Sequence, residues 1–186
     1  MQISWVVYHS DDSVPDSYTA RSSYVYGSDR IVNELATEHH RITNKRVWAH
    51  GHSIEAVLGE FIADCVKLQE DGGQLAAYGM EFDATTIYCE LERLPKLRHH
   101  CKMFDSLATS GICAMQTAAK KTGWKVPHST PPDYFGLCLE HAWTRYVGLP
   151  VSRPRDRSLR GPLWDRELAH NSDYDVAKTL ELLLRL

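Results

Sequence analysis

No apolar run in this sequence approaches the roughly 20 residues that a helix needs to cross a bilayer, and no two of its five cysteines (Cys65, Cys89, Cys101, Cys113, Cys138) are spaced C-x-x-C. The first absence leaves no candidate membrane span. The second, together with the odd count, argues against a disulfide framework and for reduced thiols in a reducing compartment. Positive charge is not in excess either, with 21 Lys and Arg against 24 Asp and Glu and a net charge of -3. That argues against a protein that coats nucleic acid non-specifically, although a basic groove can sit on an acidic body. The start, MQISWVVYHSDDS, reads neither as a signal peptide nor as an Arg-rich transit sequence. The expectation is a soluble intracellular protein, cytoplasmic by default. G-x-x-x-x-G-K-[ST], G-x-G-x-x-G and G-x-S-x-G are all missing, so P-loop, dinucleotide-binding and hydrolase-elbow readings lose support. Internal repeats and low-complexity tracts are missing too.

What is present suits one ordinary domain. The chain has 186 residues, 43% apolar and 24% charged, enough for a conventional core. ISWVVY is β-branched and aromatic and breaks at the turn-rich HSDDSVPDS, after which YTARSSYVY alternates; residues 2–26 therefore read as a hairpin. RIVNELATEHHRIT reads as a short helix and a loop. Ser53 can cap a helix whose apolar positions Ile54, Val57, Leu58, Phe61, Ile62, Cys65 and Val66 keep helical spacing, ended by Asp71-Gly72-Gly73. QLAAYGMEF reads as a short buried strand and DATTIYCELERL as a helix beginning at Asp83. Further helices are predicted over about 105–122, stopped by Gly123, and about 132–147. Residues 149–168 read as an exposed Pro/Arg-rich loop before a terminal helix. Strands first, then alternating helix and strand, predict an α/β layered fold in a single domain over 1–186.

Two places bear on chemistry. In HNSDYDVAKTLELLLRL, His170 and Asp175 lie five apart where an apolar helix begins. Ser172 to Asp175 also reads as a capping box, with Ser172 as N-cap, and an acid there complements the helix dipole. Asp83 repeats the pattern: an acid at the end of an apolar strand, opening a helix, again an N-cap on the local view. Strand ends meeting helix starts are where open α/β sheets bind ligands. Two carboxylates and a histidine there suit Mg²⁺ or Mn²⁺ with a proton acceptor beside it. Weaker features are His99-His100-Cys101, whose zinc reading lacks a second half, and Glu38-His39-His40, read as loop. The arginines at 153, 155, 157, 160 and 166 can contact phosphate, with Trp164 for stacking; a solvated loop accounts for them better.

Together, RIVNELATEHHRITNKRV, VLGEFIADCV, LAAYGMEFDATTIYCELERL and LAHNSDYDVAKTLELLLRL resemble the DnaQ-like, DEDDh 3′–5′ exonucleases of the ribonuclease H-like superfamily. That family carries an HGIT segment, a second motif close to HNxxFD and a third with histidine and aspartate five apart. Here YGMEFD supplies Asp83, and HNSDYD supplies His170 and Asp175. The resemblance runs from residue 2 to the C-terminus and is weakest over 95–165. It implies a layered fold with a mixed central sheet flanked by helices. It also implies Asp83 and Asp175 as carboxylates for Mg²⁺ or Mn²⁺ and His170 as the general base, in two-metal hydrolysis of a terminal phosphodiester. The substrate implied is the 3′ end of single-stranded DNA or RNA, contacted by His40, Tyr78, Phe82, Asn171 and Arg160. No pattern here reads a 2′-hydroxyl, so the choice of nucleic acid stays open.

The departures are specific. The family's first motif, D-x-E on a first and central strand, is missing or replaced, since MQISWVVYHSDDSVPDSY matches the second and third strands. Sliding VVYHSD onto it would put His9 and Asp11 there, but leaves too little chain before EHHRIT for two more strands. Tyr78-Gly79 stand where His-Asn is common, and Arg41 stands at the glycine of HGIT. The alternative is therefore a non-catalytic exonuclease-like module serving as a nucleic-acid-binding or assembly subunit. A sheet lacking its central strand exposes backbone edges, which favours self-association or a larger assembly.

Overall fold

The computed structural model describes residues 2–9, 17–26, 33–123, 139–147 and 172–186. Two compact units divide the chain, one over Met1–Asp64 with Arg157–Ala177, the other over Cys65–Asp156 with Lys178–Leu186.

In the first unit the expected hairpin forms from β1 (Gln2–His9) and β2 (Ser17–Tyr26), antiparallel, with Trp5 opposite Arg21. Helices α1 (Glu34–His40) and α2 (Asn44–His50) follow, then the two-residue strand β3 (His52–Ser53), parallel to β2. The sheet is thus mixed, in the order β1-β2-β3. Helix α3 (Ile54–Glu70) begins where predicted, with Ser53 Oγ accepting from the Ala56 N–H at 3.2 Å. Its apolar stripe buries Val57, Leu58, Phe61 and Ile62, and Trp5, Val25, Ile42 and Val47 of the same unit are buried as well, each such side chain contributing about 1.5–3 kcal/mol. The Trp5 ring stands edge-on to Phe61 at 5.5 Å. Its indole N–H donates to Asp64 at 2.8 Å, and Arg21 Nε donates to the same carboxylate oxygen at 3.0 Å. One carboxylate therefore ties the hairpin to α3.

In the second unit β4 (Ala76–Ala77) leads into α4 (Met80–Arg93). A 3₁₀ turn (Arg98–His100) and α5 (Cys101–Thr109) precede β5 (Ile112–Cys113), which pairs parallel with β4 and leads into α6 (Ala114–Thr122). Helix α7 covers Leu139–Tyr146, and α8 covers Ser172–Leu183, of which Lys178 onward belongs to this unit. Ala114, Ala118, Ala142 and Leu182 form a closely packed cluster, covered by Tyr78, Leu139 and Tyr146. Small alanines on facing helices let the backbones approach closely. The Trp143 indole donates to Glu181 at 2.7 Å and Lys178 lies 4.8 Å from the Trp143 ring.

The mixed α/β class is as expected, but four particulars differ. The described strands pair in two ladders, one of three strands and one of two, rather than in one central sheet. The strand expected over QLAAYGMEF is two residues long, and α4 starts at Met80, because Gly79 takes the N-cap position. The helix expected over 105–122 is two helices broken at Gly111. The Glu38-His39-His40 run belongs to the last turn of α1, not to a loop. Most of the 149–168 segment and the first part of the helix predicted over 132–147 lie outside the described residues.

Candidate functional site

The segment carrying Asp83 is built from a parallel ladder upward. Just past β4 the Tyr78 carbonyl accepts from the Met115 N–H at 3.1 Å and from the Cys113 thiol at 3.5 Å, which locks the exit of β4 against the start of α6. Gly79 then caps α4 with no side-chain hydrogen bond. Its carbonyl accepts the N–H groups of Phe82 and Asp83 at 3.0 and 3.2 Å. Asp83 thus falls inside the first turn, beyond the carboxyl end of a parallel strand, the topological position at which α/β folds bind ligands. It is not the N-cap that local sequence suggested.

The Asp83 residue is exposed by area, yet burial pushes its carboxyl above the ordinary value of 3.8. The two observations pull apart: the side chain reaches solvent while its carboxyl lies against protein mass. With the side chain this open, solvent limits the size of the effect. Among the described residues no positive group counters it, so this carboxyl would gain from a cation. Beside it Phe82 is 78% exposed, an unusual amount for a ring of that size and a ready face for stacking. Tyr78 is half-buried and packs on the alanine cluster.

Asp175 occupies the first turn of α8, half-buried, in the expected register. Ser172 is the first helical residue, and its hydroxyl is hydrogen-bonded to Ser4 of β1. The Ser4 hydroxyl also donates to Asp173. Within the first unit, then, the start of α8 is anchored on β1. Asp83 belongs to the second unit and Asp175 to the first. His40 ends α1, and Arg41 after it is left-handed at φ 57° and ψ 14°. His170, Asn171 and Arg160 lie outside the described residues.

Among the described residues no three His, Cys, Asp or Glu side chains converge as a metal site. The His99 and His100 rings lie 3.9 Å apart, tilted by 41°, and Cys101, next in sequence, is buried. No helix of the described residues is long and apolar enough to cross a membrane. No family model, curated protein or solved structure matches the chain.

Sequence reasoning missed the helix α2 and the left-handed residue at 41. Phe82 was singled out only through the resemblance, because a single aromatic in a helical run is ordinarily core. The Thr43-Asn44 start of α2 was a readable cap: Thr43 Oγ1 accepts from the Arg46 N–H at 3.2 Å.

Proposed function

We propose that this chain is a 3′–5′ exonuclease of the DnaQ-like, DEDDh type, with a ribonuclease H-like layered fold, acting on the 3′ end of single-stranded DNA or RNA. The observation that carries the reading is Arg41. The family pattern has glycine at that position, and this chain holds the left-handed backbone that glycine favours while carrying arginine instead. That backbone is compatible with the family pattern, although the residue type departs from it. Asp83 and Asp175, each in a first helical turn, support it further.

On this reading Asp83 and Asp175 would each offer a carboxylate to Mg²⁺ or Mn²⁺, His170 would take the proton of the attacking water, and Phe82 would offer a face to the terminal base. A bound divalent ion would neutralise phosphate charge and lower the pKa of water. The described donors fit such a centre incompletely, since no group of three His, Cys, Asp or Glu among the described residues could hold an ion and the D-x-E acids are missing from the sequence. That shortfall is the specific observation behind the second reading, an exonuclease-like module that binds nucleic acid or assembles with other chains without cleaving.

The test is cleavage of 5′-labelled single-stranded DNA and RNA with Mg²⁺ or Mn²⁺, beside His170→Ala and Asp83→Asn. A ladder shortening from the 3′ end that both substitutions abolish supports the enzyme and shows which nucleic acid is preferred. An intact substrate with a folded, monodisperse sample supports the non-catalytic module.

A further inference from the structure

Between Glu38 and Glu55 the chain carries no acid at all, yet it carries Arg41, Lys45, Arg46 and four histidines. On a chain of net charge -3 this is a local reversal of sign. The fold concentrates it. Helix α2 turns Lys45, Arg46, Ala49 and His50 to one side, and with Thr43 and Tyr24 of β2 they line a cleft of about 530 Å³. No carboxylate lines it. The Arg46 guanidinium lies 5.0 Å from the centroid of the Tyr24 ring, which holds its plane while leaving N–H donors free to point outward. Lys45, Arg46 and His50 are all exposed.

Aromatic rings flank these cations. Trp48, one turn on from Lys45, is 66% exposed, and Tyr26, which lies against Gly51, is 41% exposed. Cations lining a shallow cleft, with exposed aromatic residues near by, are what single-stranded nucleic acid requires: the cations meet phosphates and the rings take bases, without regard to sequence. A small phosphate would use the cations and leave the rings idle.

We propose that this cleft binds the backbone of single-stranded nucleic acid, with Lys45 and Arg46 on phosphates and Trp48 stacking on a base. The proposal rests on the exonuclease-type reading for the identity of the ligand, and it adds a binding track on the first unit to the residues assigned there.

The test is fluorescence anisotropy of labelled oligo(dT) and oligo(U) across a salt series in EDTA, so that hydrolysis cannot intrude. Lys45→Gln/Arg46→Gln removes two cations from an exposed surface, and thermal unfolding checks that it folds. Lys45→Glu alone is the second variant, since it leaves the Arg46–Tyr24 stack intact. The slope of log affinity against log salt should become shallower by about 1.4 in the double variant, at about 0.7 for each lost phosphate contact. Trp48→Ala should weaken binding roughly tenfold. Unchanged affinity and slope in both cation variants would overturn the proposal, as would retention on phosphatidylserine vesicles with no oligonucleotide binding. In the cleavage assay with Mg²⁺ or Mn²⁺, an intact substrate beside cleft-dependent binding removes the enzyme reading and leaves this proposal standing. Hydrolysis with the affinity of the cleft variants unchanged does the reverse.

Discussion

Arg41 holds a backbone conformation in which its Cβ crowds the following carbonyl, at a cost of about 1 kcal/mol that glycine does not meet. It persists because α1 must end there: the Arg41 N–H caps the Thr37 carbonyl at 2.7 Å and the chain turns to bury Ile42. Arg41→Gly is expected to stabilise the chain by about 0.5–1 kcal/mol, measured from the urea midpoint at unchanged m-value. His100 gives a second prediction at this scale. Burial first, and the adjacent His99 second, hold its pKa below the usual 6.5. Its charged form is therefore disfavoured in the folded chain, and the unfolded chain binds the extra proton. The stability this contributes is present above pH 6.5 and is lost as pH falls below it. His100→Gln should accordingly lose less stability than the natural chain between neutral pH and pH 5, by chemical unfolding at each pH. Equal losses would show that His100 does not titrate with folding.

Elements end where a side chain or backbone approach forces them to. The run expected as one helix over 105–122 breaks because Gly111 sits where the chain passes closest to its neighbours. A Cβ there would stand 2.7 Å from the Leu75 carbonyl oxygen and 2.7 Å from Met80 Cε, with the Leu107 carbonyl oxygen at 3.0 Å. The break lets Ile112 donate to the Leu75 carbonyl at 2.8 Å, which starts the β4–β5 ladder and so sets the position of Asp83. Gly111→Ala should destabilise the chain by about 1–3 kcal/mol, because two of the three neighbours are backbone oxygens and cannot swing away. A loss under 0.5 kcal/mol by urea unfolding would mean that β5 can shift freely. The Ser110-Gly111 pair was a legible turn signal, outweighed by the helical residues on both sides of it. Helix α2 went unread for the opposite reason. It is seven residues long and buries only Val47, so no periodicity betrays it.

At the scale of the whole molecule, two compact units each carry one of the two motif carboxylates, and metal binding is the property that should reveal whether they act together. Mn²⁺ at a hundredfold excess over its Kd adds about 2.7 kcal/mol to a folded chain, which for this length raises Tm by about 5–10 °C. Asp175→Asn is expected to abolish that rise, and Asp83→Asn to do the same. Persistence of the full rise in both variants would place the ion elsewhere. Persistence in one alone would assign the ion to the remaining carboxylate and count against joint binding.

The hairpin, the long helix α3 with its Ser53 cap, the end of α6 at Gly123 and the helical register of Asp175 were determined by the sequence alone. Each rests on a local rule: β-branched alternation, apolar spacing, a hydroxyl at the cap, a glycine past the last turn. The class, mixed α/β, follows from their order. Tertiary structure decided where the short strands lie, since two-residue strands such as β3, β4 and β5 exist only through the neighbour that pairs with them. It also brought Tyr24 beside Arg46 to make a cleft out of a helix face that looks merely charged in sequence. It left Phe82 open beside Asp83 and put protein mass around that carboxyl, because exposure and desolvation are properties of what surrounds a side chain rather than of the chain that carries it.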